Sequence, residues 1–297
     1  MLILLHKFQI FSGLSGSEKA NLLMIALQKI YDTGAHGVSV TSDGPSAHLS
    51  MMKVLGANLN AENLEPHFPH PSNPNVRVHV LLDIAHMLKL VRNCLASEKV
   101  IHSPAGDIQW DYVVKLQHLQ EVKGLRAGTK LKRQHIEFER NKMKVSVAAQ
   151  TLSASVADAI DFLREDLKLA DFQGSEATSE FIRIFDKLFD CFNSRSLFGK
   201  RFKAPLSSTN HVQWLSVFTE AQSYIKSLTK TDGCLLVSSR QRTGFLGFLI
   251  AIHSFQNLFQ DLVSNGPLQY LLSYKFSQVN INIEKGYICL FLYITIN

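Results

Sequence analysis

The sequence predicts an α/β region followed by a mainly helical region, and two observations support this. Up to about residue 100, helical periodicity alternates with short runs rich in β-branched residues, which is typical of a sheet layered with helices. From about residue 101 to residue 265, helical periodicity continues with hardly any strand signal. We therefore expect three parts, at residues 1–100, 101–265 and 266–297.

The first region is predicted to alternate helices with strands. Ser17 is a suitable N-cap for the first helix, and Gly34 is a suitable stop after it. In the first strand, Val38 and Val40 alternate with smaller residues. The predicted elements are helices at residues 17–31, 46–55 and 86–94, strands at residues 37–42 and 76–82, and a loop at residues 66–74.

The second region is predicted to be helical, with no internal repeat and no heptad run. We place its beginning near residues 97–108. The last segment, GYICLFLYITIN at residues 286–297, has a composition typical of a strand. The predicted helices of the second region lie at residues 110–122, 145–167, 176–192, 212–228 and 245–263.

Composition and charge exclude several classes of protein. Hydrophobic residues make up 46% and charged residues 19%, which predicts a folded rather than a disordered chain. A net charge of +6 and a pI of about 9.1 are compatible with a polyanionic partner such as nucleic acid or nucleotide phosphate. The four cysteines lack CxxC spacing, so we expect reduced thiols. The apolar run at residues 287–296 is about half a membrane helix, so no membrane span is predicted.

Asp43 lies where the first predicted strand ends, which is a suitable place for a metal ligand. A carboxylate positioned by rigid backbone can hold Mg²⁺ and leave coordination positions for phosphate and water. The alternative is that Asp43 only begins the turn that Gly44 and Pro45 continue. Spacing alone does not decide between a metal ligand and a turn residue.

Asp83 and His86 lie three residues apart, where the second strand is predicted to become a helix. Both could face the same edge, and Asp83 could also cap the helix. The sequence has no HExxH, GxSxG or Walker A motif, which excludes the usual metalloprotease, α/β-hydrolase and P-loop patterns.

Six segments dispersed along the chain resemble the P-element-type DNA transposase family, whose members often carry a THAP zinc finger. They occur in the family's order and extend from about Ser17 to Gln278. The segments are VTSDGPSAH (40–48), DIAHMLKLVRN (83–93), KMKVSVAAQTLSASVADAIDFL (142–163), LFDCFNSR (188–195), RTGFLGFL (242–249) and LLSYKFSQ (271–278).

This resemblance implies a fold and an activity. The fold would be a partial ribonuclease-H-like catalytic core at residues 1–100, a large, mainly helical GTP-binding insertion domain at 101–265, and a remnant of the return to the core at 266–297. The activity would be GTP-dependent cut-and-paste transposition, in which Mg²⁺ or Mn²⁺ supports DNA strand cleavage and transfer. The implied partners are transposon ends, target DNA, GTP and further copies of the chain, in the nucleus.

The resemblance also implies roles for the carboxylates at the strand ends. Asp43 matches the second Asp of the family's acidic triad, so it would be both a catalytic residue and a metal ligand. Asp83 and His86 match an element that accompanies the core, so they would support the site rather than bind the metal.

For the insertion domain, the resemblance implies five residues that hold GTP: Lys144, Val145, Ser153, Asp190 and Asn193. Lysine neutralises phosphate, a hydroxyl donates or accepts hydrogen bonds, and a carboxylate can read guanine N–H groups or bind Mg²⁺. The alternative is an ordinary helix end at Asp190 and Asn193, and a buried helical hydroxyl at Ser153.

The sequence departs from the family where two of the three catalytic carboxylates should lie. Residues 1–16 contain no Asp or Glu, and Val279 and Asn282 follow YKFSQ where the family has an Asp and the catalytic Glu. Glu284 is two positions, or about 200° of a helix, from the expected register. The zinc finger and coiled coil that usually precede the core are also not among these residues. We therefore expect a transposase fragment that does not cleave DNA alone.

Two other functions remain open at this point. One is a non-catalytic, transposon-derived protein that binds GTP or DNA and acts as a regulator. The other is a helical interaction module without nucleotide affinity, which would apply if Lys144, Asp190 and Asn193 did not form one pocket.

Overall fold

A computed structural model of the 297-residue chain describes residues 2–9, 13–124, 129–277 and 287–294. Val279, Asn282 and Glu284, at which the sequence departs from the family, lie outside the described residues. The elements in chain order are β1 (Leu2–Gln9), α1 (Gly16–Tyr31), β2 (Ala35–Ser42), α2 (Ser46–Val54), β3 (His67–His70), β4 (Asn73–Leu82), α3 (Ile84–Glu98), β5 (Val100–Ser103), β6 (Gly106–Gln109), α4 (Trp110–Lys123), α5 (Arg133–Ile136), α6 (Val145–Thr151), α7 (Ala154–Glu165), α8 (Glu176–Phe192), β7 (Leu206–Ser207), α9 (His211–Ser227), α10 (Thr243–Phe259), β8 (Tyr270–Leu271) and β9 (Tyr287–Ile294).

The chain divides into two compact units. The first, which we call the strand unit, comprises residues 1–84, 191–215 and 246–297. The second, which we call the helical unit, comprises residues 85–190 and 216–245. These bounds differ from the three parts expected from the sequence, whose boundaries at residues 100 and 265 stay a prediction. Within the described residues, no helix is long and apolar enough to cross a membrane.

A five-stranded sheet forms the centre of the strand unit, with the order β1-β9-β2-β4-β3. β2 and β4 run parallel, whereas β9 is antiparallel to both of its neighbours. The predicted strands at residues 37–42 and 76–82 are confirmed, as is the strand character of the last segment. β9 pairs along β2, so the side of β2 that faces away from β4 has a hydrogen-bonded neighbour.

The loop predicted at residues 66–74 is wrong in part, because residues 67–70 form β3 and pair antiparallel with β4. The prolines around this segment suggested a loop. However, β3 is an edge strand, where a proline that lacks an N–H donor is tolerated. The predicted N-cap Ser17 is also wrong. The cap is Ser15, whose hydroxyl accepts from the Glu18 amide while the Glu18 carboxylate accepts from the Ser15 amide.

Aromatic side chains from distant segments pack together in the strand unit. The Phe192 ring lies 5.1 Å from that of Phe255, which in turn lies 5.3 Å from that of Phe276. The Ser254 hydroxyl donates to the carbonyl of Val80, 2.5 Å away, which fixes α10 against β4. Residues 273–277 therefore pack onto the same core as the central strands.

The helical unit contains most of the helices predicted for the second region, whereas α10 lies mainly in the strand unit. It also contains one hairpin that the sequence analysis missed. β5 and β6 form this antiparallel hairpin at residues 100–109. The single helix predicted at residues 145–167 is two helices, α6 and α7, which are separated at Leu152 and Ser153. Leu152 has a non-helical backbone (φ −96°, ψ 58°) and a fully buried side chain, so tertiary packing overrides the helical periodicity there.

Candidate functional site

The ends of β2 and β4 bring two carboxylates to one edge of the sheet. Ser42 pairs with Leu82 in the parallel register, so Asp43 and Asp83 are the next residues on neighbouring strands. The amide of Asp83 donates to the carbonyl of Ser42 at 2.8 Å, which continues the ladder to this point. The carboxyl ends of parallel strands are where α/β proteins usually bind ligands.

Asp43 has an oxygen atom that is buried without a hydrogen bond. The side chain is 17% exposed, and its Oδ1 has no hydrogen-bond partner among the described residues. The nearest charged contact is the Nδ1 atom of His48, at 3.6 Å. Gly44, with a φ of 78°, turns the chain directly after Asp43. A buried acceptor without a partner is costly, so this arrangement is typical of a ligand-binding carboxylate.

His48 lies behind Asp43 and is only 2% exposed. Burial lowers its pKa, against the opposite effect of the Asp43 carboxylate, and the positive charge of Lys19 lowers it further. The imidazole is therefore neutral at pH 7, and it does not neutralise Asp43.

Asp83 is buried and hydrogen bonded rather than open. The hydroxyl of Ser277 donates to its Oδ1 at 2.6 Å. The hydroxyl of Thr41 donates to the carbonyl of Phe276 at 2.9 Å, which holds the same segment against the end of β2. His86 is the third residue of α3 and is partly exposed. The sequence analysis missed Ser277, although its segment LLSYKFSQ is one of the six that resemble the family.

Taken over the described residues, no group of three or more His, Cys, Asp or Glu side chains could hold a metal ion. The strand edge therefore presents two carboxylates, of which Asp43 has the unpartnered oxygen.

The predicted GTP-binding residues lie on three segments. Lys144 occupies the N-cap position of α6 and is exposed, and Val145 begins that helix. The hydroxyl of Ser153 donates to the carbonyl of Gln150 and lies 3.0 Å from the hydroxyl of Ser155. These three residues belong to the helical unit.

The other two predicted GTP-binding residues lie at the end of α8. Asp190 is two residues before that end and belongs to the helical unit, whereas Asn193 follows α8 in the strand unit. The Oδ1 atom of Asn193 accepts from Nε of Arg195 at 3.1 Å. The convergence of these residues with Lys144 and Ser153 stays a prediction.

A second polar cluster in the strand unit was not found from the sequence. We call it the Asp261 cluster: Arg77 and His79 on β4 both hydrogen bond to Asp261, with His79 Nε2 at 2.8 Å. Burial alone would raise the pKa of Asp261, but the hydrogen bonds from His79 and Arg77 lower it to about 2. The cluster lines a cavity of about 220 Å³.

Comparison with known proteins identifies the family. Residues 85–205 match the family model of the TNP-like GTP-binding insertion domain, and residues 6–56 match that of the TNP-like RNase H N-terminal domain. The human DNA transposase THAP9 is 32% identical over 271 residues, which cover 91% of this chain and 30% of that protein. The chain belongs to the P-element-type transposase family. The transposable element P transposase of Drosophila melanogaster is 24% identical over 265 residues, or 85% of this chain and 32% of that protein.

A solved structure has the same fold as this P-element-type chain. The Drosophila P element transposase strand transfer complex matches with a TM-score of 0.74 at 22% identity, over 88% of this chain and 57% of the solved one. The predicted family and fold class, an RNase H-like part with a largely helical GTP-binding insertion, are therefore confirmed. The chain spans about a third of the length of the curated P-element-type relatives that it matches.

Proposed function

We propose that the chain is the central part of a cut-and-paste DNA transposase, in which the end of β2 contributes one ligand to a divalent metal site. The observation that carries this proposal is the pair Asp43 and Asp83 at adjacent ends of parallel strands, in a chain of the P-element-type family. The proposed reaction is DNA strand cleavage and transfer with Mg²⁺ or Mn²⁺, dependent on GTP, in the nucleus.

The residues at the strand edge fit a hard cation. The buried Oδ1 of Asp43 has no hydrogen-bond partner among the described residues and would bind the metal. When bound, the metal activates the attacking oxygen and stabilises the leaving oxygen in phosphodiester chemistry. Asp83, held by Ser277, would fix the edge of the site without binding the metal.

We propose further that these 297 residues do not cleave DNA by themselves. They supply Asp43, but Val279 and Asn282 stand where the family has two acidic residues, and residues 1–16 supply none. Each carboxylate that a two-metal site lacks removes negative charge that the cations need. The polypeptide would then cleave DNA only when other acidic residues complete the metal site, or it would act as a regulator that still binds nucleotide and DNA.

The helical unit is proposed to bind GTP. Support comes from the match of residues 85–205 to a GTP-binding insertion domain. Lys144, at the beginning of α6, would neutralise phosphate. Val145 and Ser153, which follow along the chain, would help to hold the nucleotide. Asp190 would recognise guanine or the phosphate-bound Mg²⁺. The role expected of Asn193, which belongs to the strand unit, stays a prediction.

Iron-directed cleavage tests the proposed metal site without requiring transposition. Fe²⁺ replaces Mg²⁺, and ascorbate with peroxide then generates hydroxyl radicals that cut the polypeptide near the bound ion. We expect fragments that end near Asp43 and Asp83, and their loss on addition of excess Mg²⁺. Asp43→Asn should abolish the cuts, whereas Asp32→Asn, an exposed carboxylate at the end of α1, should not. Cleavage that persists in Asp43→Asn would exclude the proposed ligand.

A further inference from the structure

A basic loop with an exposed aromatic tip follows α8 in the strand unit. We call it the 194–203 loop, because the hydroxyl of Ser194 donates to the carbonyl of Lys203 at 2.8 Å and closes it. Phe198 at its tip is 92% exposed, and neighbouring Leu197 is 51% exposed. These two side chains place apolar surface in water at the tip of the loop.

The charged residues of the loop are all positive. From residue 191 to residue 219 the sequence contains no Asp or Glu. No acidic side chain in the described part of the chain pairs with Lys200 or Arg201. The cations of the loop, all exposed, are Arg195, Lys200, Arg201 and Lys203.

Hydrogen bonds within the loop constrain its backbone. The amide of Gly199 donates to the carbonyl of Ser196, and that of Lys203 donates to the carbonyl of Lys200. A Cβ atom on Gly199 would lie 2.0 Å from the carbonyl oxygen of Lys203, so only glycine fits this close approach. The tip is therefore presented by ordered backbone, which lowers the entropy lost when a partner binds.

The base of the loop is attached to the segment that contacts the acidic edge. The amide of Ser194 donates to the Ser273 hydroxyl at 2.9 Å, and the guanidinium of Arg195 lies 4.2 Å from the centre of the Tyr274 ring. Four residues after Ser273, the hydroxyl of Ser277 donates to Asp83. Ser273–Phe276 form a 3₁₀ helix, which rises about 2 Å per residue, so these two anchors are roughly 8 Å apart.

We propose that the 194–203 loop binds DNA beside the acidic strand edge, with its cations on phosphates and the Phe198 ring against a base. Clustered cations with a stacking aromatic side chain are the usual means of binding nucleic acid without sequence preference. A membrane surface is the weaker candidate, since two apolar side chains make a small apolar face. The inference rests on the proposed function and specifies which part of the strand unit contacts the substrate.

The test is DNA binding measured by fluorescence anisotropy over a range of KCl concentrations, with a fluorescein-labelled duplex that carries a single-stranded thymidine tail. Phe198→Ala should weaken binding about tenfold at unchanged salt dependence. Lys200→Gln with Arg201→Gln should reduce the slope of log K against log salt by up to about 2. The controls Val54→Ala and Lys29→Gln with Lys53→Gln change exposed apolar and basic groups elsewhere on the strand unit and should bind as the parent chain does.

The inference is overturned if the folded parent chain does not bind this DNA, or if the loop variants bind it as tightly as the controls do. It is also overturned if Phe198→Ala weakens binding to phosphatidylglycerol vesicles, or to GTP, and leaves binding to DNA unchanged. Iron-directed cleavage on the same preparations separates the two proposals. Metal-dependent cuts at the strand edge with loop-independent DNA binding would refute only the loop, whereas loop-dependent DNA binding without such cuts would refute the metal site.

Discussion

Asp43→Asn separates a metal ligand from a turn residue by its effect on stability. In the parent chain without metal, Oδ1 of Asp43 is buried with no hydrogen-bond partner among the described residues. Leaving a buried polar group unpaired costs about 1–3 kcal/mol. An asparagine removes the charge and can donate toward Nδ1 of His48, which lies 3.6 Å from Oδ1. In EDTA we therefore expect the variant to be more stable than the parent by up to about 1 kcal/mol.

Magnesium should reverse this order. With about 10 mM Mg²⁺ and a dissociation constant of about 1 mM, binding to the native state alone stabilises the parent by about 1.4 kcal/mol. The variant should not respond. The assay is urea unfolding followed by circular dichroism, in EDTA and in Mg²⁺, with Asp32→Asn as the control that keeps the response. If Mg²⁺ leaves the parent unchanged, or stabilises both proteins equally, the metal reasoning is refuted and the turn role remains.

Three further predictions concern the surroundings of the site. The pKa of Asp261 in the folded chain is about 2, below its ordinary value of 3.8. Its contribution to stability, at most about 2 kcal/mol, is therefore present above about pH 4 and is lost as the pH falls toward 2. Asp261→Asn should make the free energy of unfolding less dependent on pH in this range, and an unchanged pH dependence would contradict this. Ser277→Ala removes a hydrogen bond to buried Asp83 and should cost about 1.5–3 kcal/mol in urea unfolding, whereas a negligible loss would show that the bond is unimportant. Gly199→Ala should destabilise the chain by about 1 kcal/mol or more, because its Cβ would meet the Lys203 carbonyl, and unaltered thermal unfolding would disprove that close approach.

Local pattern predicted the elements that carry the site. Strand patterns placed β2 and β4, and the turn after β2 and the helix after β4 placed their ends, and with them Asp43 and Asp83. Strand, turn and helix preferences act over a few residues, which is why they were readable. The break at Leu152 was not predictable in this way, because burial rather than propensity interrupts the helix there.

Contacts between distant segments were beyond the sequence analysis. Ser277 reaches Asp83 across 194 residues, and Asp261 reaches His79 across 182 residues. Nothing in the periodicity of either segment indicates its partner. The pairing of β9 with β2 is likewise a long-range event, so the strand itself was predicted but its place in the sheet was not.

The basic loop shows how a local pattern can be visible and still be passed over. The run of cations around Phe198 is present in the sequence, but its meaning depends on exposure and on attachment to residues 273–277. Both the exposure of Phe198 and this attachment are visible only in the folded chain.

GTP binding, measured by calorimetry with Mg²⁺, tests the central claim that this chain carries a working nucleotide-binding insertion. The parent chain and Asp166→Ala, a control for an exposed carboxylate at the end of α7, should bind GTP with micromolar affinity, and Asp190→Ala should lose it. A folded parent chain that binds no GTP, or an Asp190→Ala variant that binds as tightly as the parent, would contradict the account.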